Sequence, residues 1–195
     1  MKIILINKRR IEIVVIVFVL MISIFGIGKL FEERIKYVSF IQNNISSLKE
    51  YKALDGWLTY KLPEKWNTEI ENSLGKEIIY HNNFKAEDLA INGVIQVWNI
   101  KNNLQEFLEN SKQISMKQNN ILDYKIKEIN IDNKQGYWIR YVILSNDTYY
   151  VANEYFVKSD DRIVRISFFV KNQDFKEAFK ALFDSIVQTI TIHQS

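Results

Sequence analysis

The feature that most constrains this chain is the apolar run Ile13-Val-Val-Ile-Val-Phe-Val-Leu-Met-Ile-Ser-Ile-Phe-Gly-Ile-Gly28, closed by Lys29 and Leu30 and entered from Lys8, Arg9 and Arg10. From Ile13 to Leu30, at about 1.5 Å of rise per residue in an α-helix, it reaches about 27 Å, just short of the roughly 30 Å hydrocarbon core of a bilayer. Counting Ile11 and letting Lys29 snorkel to the interface completes the span. The run reads as a transmembrane helix and divides the chain into four parts: a basic tail over 1–12, the span over 13–30, a stem over 31–49 and a domain over 50–195 of single-domain size. A cleaved signal peptide is the competing reading, because Gly26-Ile27-Gly28 has the small-x-small form of a cleavage site. Its apolar core is typically only about 7–15 residues long, however, which favours retention.

Charge supports the same division. The chain carries 26 Lys and Arg against 23 Asp and Glu, for a net +3. Residues 1–49 hold eight of the basic and three of the acidic residues, leaving 18 and 20 for the domain. The domain is thus nearly neutral, and the basic excess that would suggest nucleic-acid binding belongs to the membrane end. Lys2, Lys8, Arg9 and Arg10 precede the span with only Glu12 against them, which by the positive-inside rule keeps the tail cytoplasmic and the domain extracytoplasmic. The chain has no cysteine, which excludes disulfides, thiolate metal sites, cysteine nucleophiles and a lipidated Cys. The domain must therefore be held by its core, and the Ile-, Asn- and Lys-rich composition suits a bacterial envelope.

Beyond the span, Phe31, Ile35, Val38, Ile41, Ile45 and Leu48 recur at intervals of three and four, an amphipathic helical stripe. It packs on its own domain or forms a short, weak coiled-coil dimer; it is shorter than the three to four heptads that make a coiled coil persuasive. From Asp55-Gly56 the period changes to two. Strands are predicted over 57–62, 68–71, 77–81 and 94–100, with a polar loop through Asn82-Asn83 and Glu87-Asp88. A helix follows from Leu104 to about Gln118, N-capped by Asn103. Strands over 124–131, 137–144, 148–157 and 163–170 are joined by Asn- and Asp-rich turns into an antiparallel meander. Phe175, Phe179, Leu182, Phe183 and Ile186 mark a C-terminal helix, capped by Asn172 or Asp174, before a tail strand over 189–193. This order predicts an α+β fold with helices packed on an antiparallel sheet.

The opening Gly56-Trp-Leu-Thr-Tyr-Lys-Leu-Pro-Glu-Lys-Trp66 resembles the strand-Pro-x-x-Trp start of PsbP-like and Mog1-like domains. The same pieces follow in order: a strand pair, a helix after Ile100, a Gly-turned meander and a Phe-x-x-x-Phe helix with a tail strand. The resemblance covers about residues 50–195 and implies an α/β/α sandwich used for binding or assembly, as in photosystem II extrinsic subunits and a Ran-binding protein. It carries over no metal- or partner-contacting residue.

Residues that bear chemistry are sparse. His81 and His193 are the only histidines and have no Glu-x-x-His or His-x-x-x-His partner. The neighbouring carboxylates Glu69/Glu71, Glu87/Asp88 and Asp160/Asp161 fall in strands and turns where water solvates them. No Gly-x-Ser-x-Gly elbow occurs, and Ser46-x-x-Lys49 and Ser73-x-x-Lys76 lack their companion motifs. Ser167 alternates within a strand and has no base near it in sequence. Trp57 and Trp66, beside turns, and the Tyr149-Tyr150 pair are the candidate partner surface, since Trp, Tyr and Arg are enriched at hot spots; the competing reading puts such aromatics in the core. Arg140, Arg162 and Arg165 serve a partner's acidic patch or pair across strands with Glu154 or Asp161. The expectation is a membrane-anchored, extracytoplasmic, non-catalytic binding or assembly module with an envelope protein partner and no cofactor. An envelope sensor of a small ligand or peptide is the alternative, and a cryptic hydrolase a remoter one.

Overall fold

The computed structural model describes residues 38–71, 77–101, 103–118 and 121–193, with Phe18 and Ile35 as isolated positions. Apart from Phe18, the expected membrane helix over 13–30 lies outside the described residues, as does Phe31 of the stem stripe. Among the described residues no helix is long and apolar enough to cross a membrane. Residues 38–45 are helical, and contacts divide the chain into units 1–43 and 44–195.

The second unit is an α+β domain built from two antiparallel sheets. A small sheet has the order β1-β2-β10, from β1 (Leu48–Ala53), β2 (Leu58–Pro63) and β10 (Thr191–Ile192). A seven-stranded sheet has the order β3-β4-β5-β9-β8-β7-β6. Its strands are β3 (Asn67–Ile70), β4 (Ile78–Ala86), β5 (Ile91–Asn99), β6 (Ile121–Ile131), β7 (Lys134–Ser145), β8 (Thr148–Ser159) and β9 (Arg162–Lys171). Two helices interrupt the strands, α1 (Leu104–Gln118) and α2 (Ala178–Val187).

The meander from β6 to β9 forms as its turn chemistry requires. Asp132-Asn133 and Asn146-Asp147 join their hairpins as two-residue loops with positive φ at both positions, 50° and 58°, then 47° and 58°. Asn and Asp tolerate that left-handed backbone, whose twist matches the flanking strands. β9 then turns back to pair with β5, from Ile91 opposite Val170 to Asn99 opposite Arg162. The excursion through α1 and β6 to β8 is therefore closed by a pairing between segments far apart in sequence.

Alternation along the strands sends neighbouring side chains to opposite faces. On β8, Phe156 faces α1, where it packs with Leu104, Leu108, Ile139 and Ile163. Tyr155, one residue earlier, faces α2 and bonds Asp184. On that second face Phe168 stacks on Phe183 with ring centroids 4.1 Å apart and also meets Phe84 and Tyr155. The small sheet joins this side through Tyr60, whose hydroxyl lies 2.7 Å from that of Tyr80 on β4. Burying such rings removes on the order of 150–250 Å² each from water, enough for a core without disulfides.

Three local expectations change. β4 runs on through Asn82-Asn83 to Ala86, where the sequence predicts a loop, because the polar side chains find partners. Asn82 is fully buried; with its amide oxygen toward the Tyr60 hydroxyl, its nitrogen donates to the carbonyls of Glu69 and Asn83 at 3.2 and 3.0 Å. β1 begins at Leu48, two residues inside the expected stem, and pairs residue by residue with β2. α2 has Glu177 at its cap position with no side-chain cap bond; Asn172 and Asp174 instead lie in the turn after β9, where Phe175 N–H bonds the Asn172 carbonyl. Asn103 does cap α1, its Oδ1 accepting from Gln105 N–H at 2.8 Å.

Candidate functional site

A cleft of about 240 Å³ opens between α1 and the sheet face it covers. Its walls are aromatic: Trp98 from β5, Phe107 from α1, Tyr124 from β6, Tyr141 from β7 and Phe156 from β8. Trp98 and Phe107 tilt against each other at 5.9 Å, and Tyr124 stacks on Tyr141 at 6.3 Å. Ser111 and Lys112 look in from α1, and Lys112 Nζ sits 4.8 Å above the Tyr124 ring. A second hollow of about 310 Å³, lined in part by Glu109, Lys127 and Tyr137, shares Leu108, Lys112 and Tyr124 with the first.

The floor is polar, and it is built from side chains that interrupt otherwise apolar strands. Glu154 on β8 is only 5% exposed. Its Oε1 accepts from Tyr141 Oη at 3.1 Å, from Ser167 Oγ at 3.2 Å and from Arg165 Nη2 in an ion pair. Its Oε2 takes no hydrogen bond among the described residues. Arg165 Nη1 donates at 3.2 Å to Gln96 Oε1, which also accepts from Trp98 Nε1 at 3.1 Å. With its oxygen so occupied, Gln96 must present its amide nitrogen to His81 Nδ1, 2.9 Å away. That fixes His81 as the tautomer that donates from Nε2 to Asn83 Oδ1 at 2.9 Å. Asn83 in turn donates to Glu71. One polar row thus crosses β7, β8, β9, β5 and β4.

Electrostatics follow from burial. Burial alone would lower the pKa of Arg165, but the Glu154 charge beside it more than compensates and holds the guanidinium above its ordinary value. Tyr141 is pushed well up by burial and then by the Glu154 charge, so it stays a hydrogen-bond donor. Tyr124 is raised for the same two reasons in the same order. Ser167 is fully buried and already bonded to Glu154, so its hydroxyl is engaged. The floor is a buried carboxylate neutralised by its own arginine, with one oxygen left open.

The residues singled out from sequence distribute differently. Trp57 is 6% exposed, its ring under the Arg162 guanidinium at 4.7 Å, and Trp66 is 3% exposed, stacked on Phe84 at 5.4 Å. Both belong to the core because the turns they sit beside fold back against it, so neither presents a surface. Tyr149 is 46% exposed and Tyr150 half-buried, at the turn end of β8. The four make no common patch. Arg165 pairs with Glu154 as the strand reading has it, whereas Arg140 makes a two-pronged pair with Glu177 at 3.1 and 3.3 Å and lies over Phe175. His81 lies on β4 of the large sheet, whereas His193 follows β10 of the small one.

Sequence reasoning does not reach Gln96 or Tyr141, and it gives Ser167 no part in a site. Their signal is nonetheless present, as polar residues inside apolar strands that the pairing brings into register: Gln96 opposite Arg165 and Glu154 opposite Ser167.

The seven-stranded antiparallel sheet with α1 on one face and α2 with the small sheet on the other defines a PsbP-like α+β fold. It matches the solution structure of cyanobacterial PsbP (CyanoP) from Synechocystis with a TM-score of 0.56 at 13% identity, over 75% of this chain and 93% of that one. A crystal structure from Bacteroides thetaiotaomicron matches with a TM-score of 0.53 at 15% identity, over 75% of this chain and 49% of that one. Identities this low establish the fold alone. No family model and no curated protein sequence matches the chain.

Proposed function

We propose that this protein is a non-catalytic binding module of a bacterial envelope, held outside the cytoplasmic membrane by residues 13–30, and that it takes its ligand in the cleft beneath α1. The observation that carries this reading is the Glu154 carboxylate, buried at the floor of an aromatic cleft with one oxygen unpartnered among the described residues. Ligand pockets characteristically combine apolar walls with a few fixed polar groups. Ser167 donates to the Glu154 carboxylate but is fully buried, out of reach of a substrate, and Tyr141 is held protonated.

Thermal-shift screening of the full chain in a non-ionic detergent tests it. A ligand that binds only the folded state raises the midpoint by mass action, about 2.7 kcal/mol at a hundredfold excess over Kd. Ser111→Trp, which fills the cleft from the helix side, is expected to abolish the shift while leaving the fold intact. A shift that survives Ser111→Trp places binding elsewhere and sinks the proposal. Protease added to intact protoplasts is expected to remove the domain; its full protection would reverse the topology.

An assembly role is the second reading, favoured by the free edge of the large sheet. Among the described residues β6 pairs only with β7, and it carries Leu122 and Ile126, 54% and 49% exposed. Exposed apolar edge strands are templates for pairing with another chain. Ile126→Lys is expected to abolish such an association while leaving any cleft ligand bound.

A further inference from the structure

Resting on the cleft reading above, we propose that the ligand is an organic ammonium: a primary or secondary amine, protonated, on a compact apolar body. Glu154 offers one oxygen to a ligand. Oε1 already accepts from Tyr141, Ser167 and Arg165, whereas Oε2, on the same deeply buried side chain, has no donor among the described residues. A carboxylate oxygen is an acceptor only, and Oε2 is not among the sealed, unpartnered polar atoms of the described residues, so it is open to a donor entering the cleft. The complementary group is an N–H or O–H donor; an ionised carboxylate carries no proton to offer Oε2.

The walls choose between the donors. Trp98, Phe107, Tyr124, Tyr141 and Phe156 present aromatic rings to the space, and their negative faces attract cations, most strongly where water is excluded. A neutral hydroxyl would satisfy Oε2 but gain nothing from the rings. The cleft already seats one ammonium of the chain itself: Lys112 Nζ lies 4.8 Å over Tyr124, and among the described residues it makes no ion pair. Arg165 is a weak anion site here, because Nη1 and Nη2 already donate to Gln96 and Glu154, its charge is matched by Glu154, and its Nε is closed off by burial. The volume sets the size. A cavity of about 150 Å³ holds benzene, so 240 Å³ accommodates one ring with a short arm reaching Glu154.

Three probes with one ring and different heads decide it: 2-phenylethylammonium, 2-phenylethanol and 3-phenylpropionate, titrated calorimetrically into the full chain in a non-ionic detergent. The expected result is binding of the ammonium alone. Glu154→Gln, which keeps the shape of the side chain and its acceptor for Arg165, is expected to weaken that binding about tenfold, the loss of one charge-assisted hydrogen bond. Lys112→Met, on the exposed face of α1, is expected to strengthen it several-fold by removing the competing cation, and this arm stands even if Glu154→Gln does not fold. Equal or tighter binding of the alcohol or the carboxylate overturns the ammonium assignment; if Ser111→Trp blocks that binding, the cleft remains the ligand site. Binding of none of the three overturns the ligand class, and the wider thermal-shift screen then judges the cleft separately. Unchanged ammonium affinity in Glu154→Gln, or weaker affinity in Lys112→Met, also overturns it.

Discussion

Tyr155 on β8 donates a hydrogen bond of 2.8 Å to Asp184 on α2. Asp184 is at the same time paired with Lys180, one helical turn earlier, at 2.6 Å, and the Lys180 ammonium lies 4.8 Å over the Trp138 ring on β7. One carboxylate thus fastens α2 to two inner strands of the sheet. Removing only the phenolic oxygen isolates that bond. Tyr155→Phe is expected to lower stability by about 1 kcal/mol, the size of an ordinary hydrogen bond and less than one to a buried charged group, because the Asp184 side chain is 43% exposed and water replaces part of it. Denaturant midpoints with an unchanged slope check this.

Alkaline sensitivity arises from the same ring and from others like it. Burial pushes Tyr155 up, with the Asp184 charge adding to it; burial likewise raises Tyr60 and Tyr141. A pKa raised in the folded state means that the fold holds a proton which the unfolded chain loses near pH 10. The stabilisation is therefore fully present below that pH and is lost as pH rises beyond it. Stability measured by urea titration is expected to fall steadily above about pH 10, and the fall should be shallower in Tyr155→Phe. A flat profile to pH 11 would contradict it.

Breaking the Glu154–Arg165 pair has an asymmetric consequence. Glu154→Ala leaves the guanidinium without its counter-charge and strips an acceptor from Tyr141 and Ser167, and is expected to cost about 2–4 kcal/mol. Glu154→Leu combined with Arg165→Met removes both charges and is expected to recover at least half of that loss. A double-mutant cycle by chemical denaturation measures the coupling; additive losses would show that the pair is not coupled.

Gly93 on β5 faces a neighbour that cannot yield. A Cβ there would stand 2.2 Å from the Phe84 ring and 2.4 Å from the Ser167 carbonyl oxygen, a backbone atom of the paired strand. Gly93→Ala is expected to cost more than about 2 kcal/mol by overpacking. Gly56→Ala meets nothing within 4 Å but must hold φ at +88°, and should cost about 1 kcal/mol through backbone strain alone. Thermal midpoints of the two variants compare steric and conformational penalties directly.

Most of this architecture is legible in the sequence because its signals are local. The two-residue Asn and Asp turns announce the meander, the Asn103 cap and the Leu104-Phe107-Leu108 face announce α1, and the Phe179-Leu182-Phe183-Ile186 spacing announces α2. β1 is hidden because Lys49, Glu50 and Lys52 make its surface polar on both sides of Tyr51, so no period of two stands out. The full length of β4 is hidden because Asn82 and Asn83 look like loop residues until Tyr60, His81 and Glu71 are seen to satisfy them. For the site, Arg165 and Glu154 can be paired from alternation. That they line a cleft cannot be read the same way, because the opposing wall comes from α1, distant in sequence from Glu154, and only the docking of that helix on the sheet creates the space. Trp57 and Trp66 mislead for the same reason: a residue beside a turn is exposed only if the turn points away from the core.

The small sheet has an implication for engineering. β1 and β10 flank β2 and run parallel to each other, with Leu48 level with Pro63 and Ile192 level with Leu58. The backbone at His193 is tied to Trp57 by a 2.9 Å bond. Entry and exit of the folded unit are thus separated along one ribbon by about five residues, on the order of 17 Å at the rise of a strand. A linker of about six to eight residues would bridge them at the reach of an extended chain. Circular permutants reopened at the tight Asn146-Asp147 turn should then fold with the original strand order, and cutting there would free the β7–β8 hairpin to carry an inserted reporter at the far end of the large sheet.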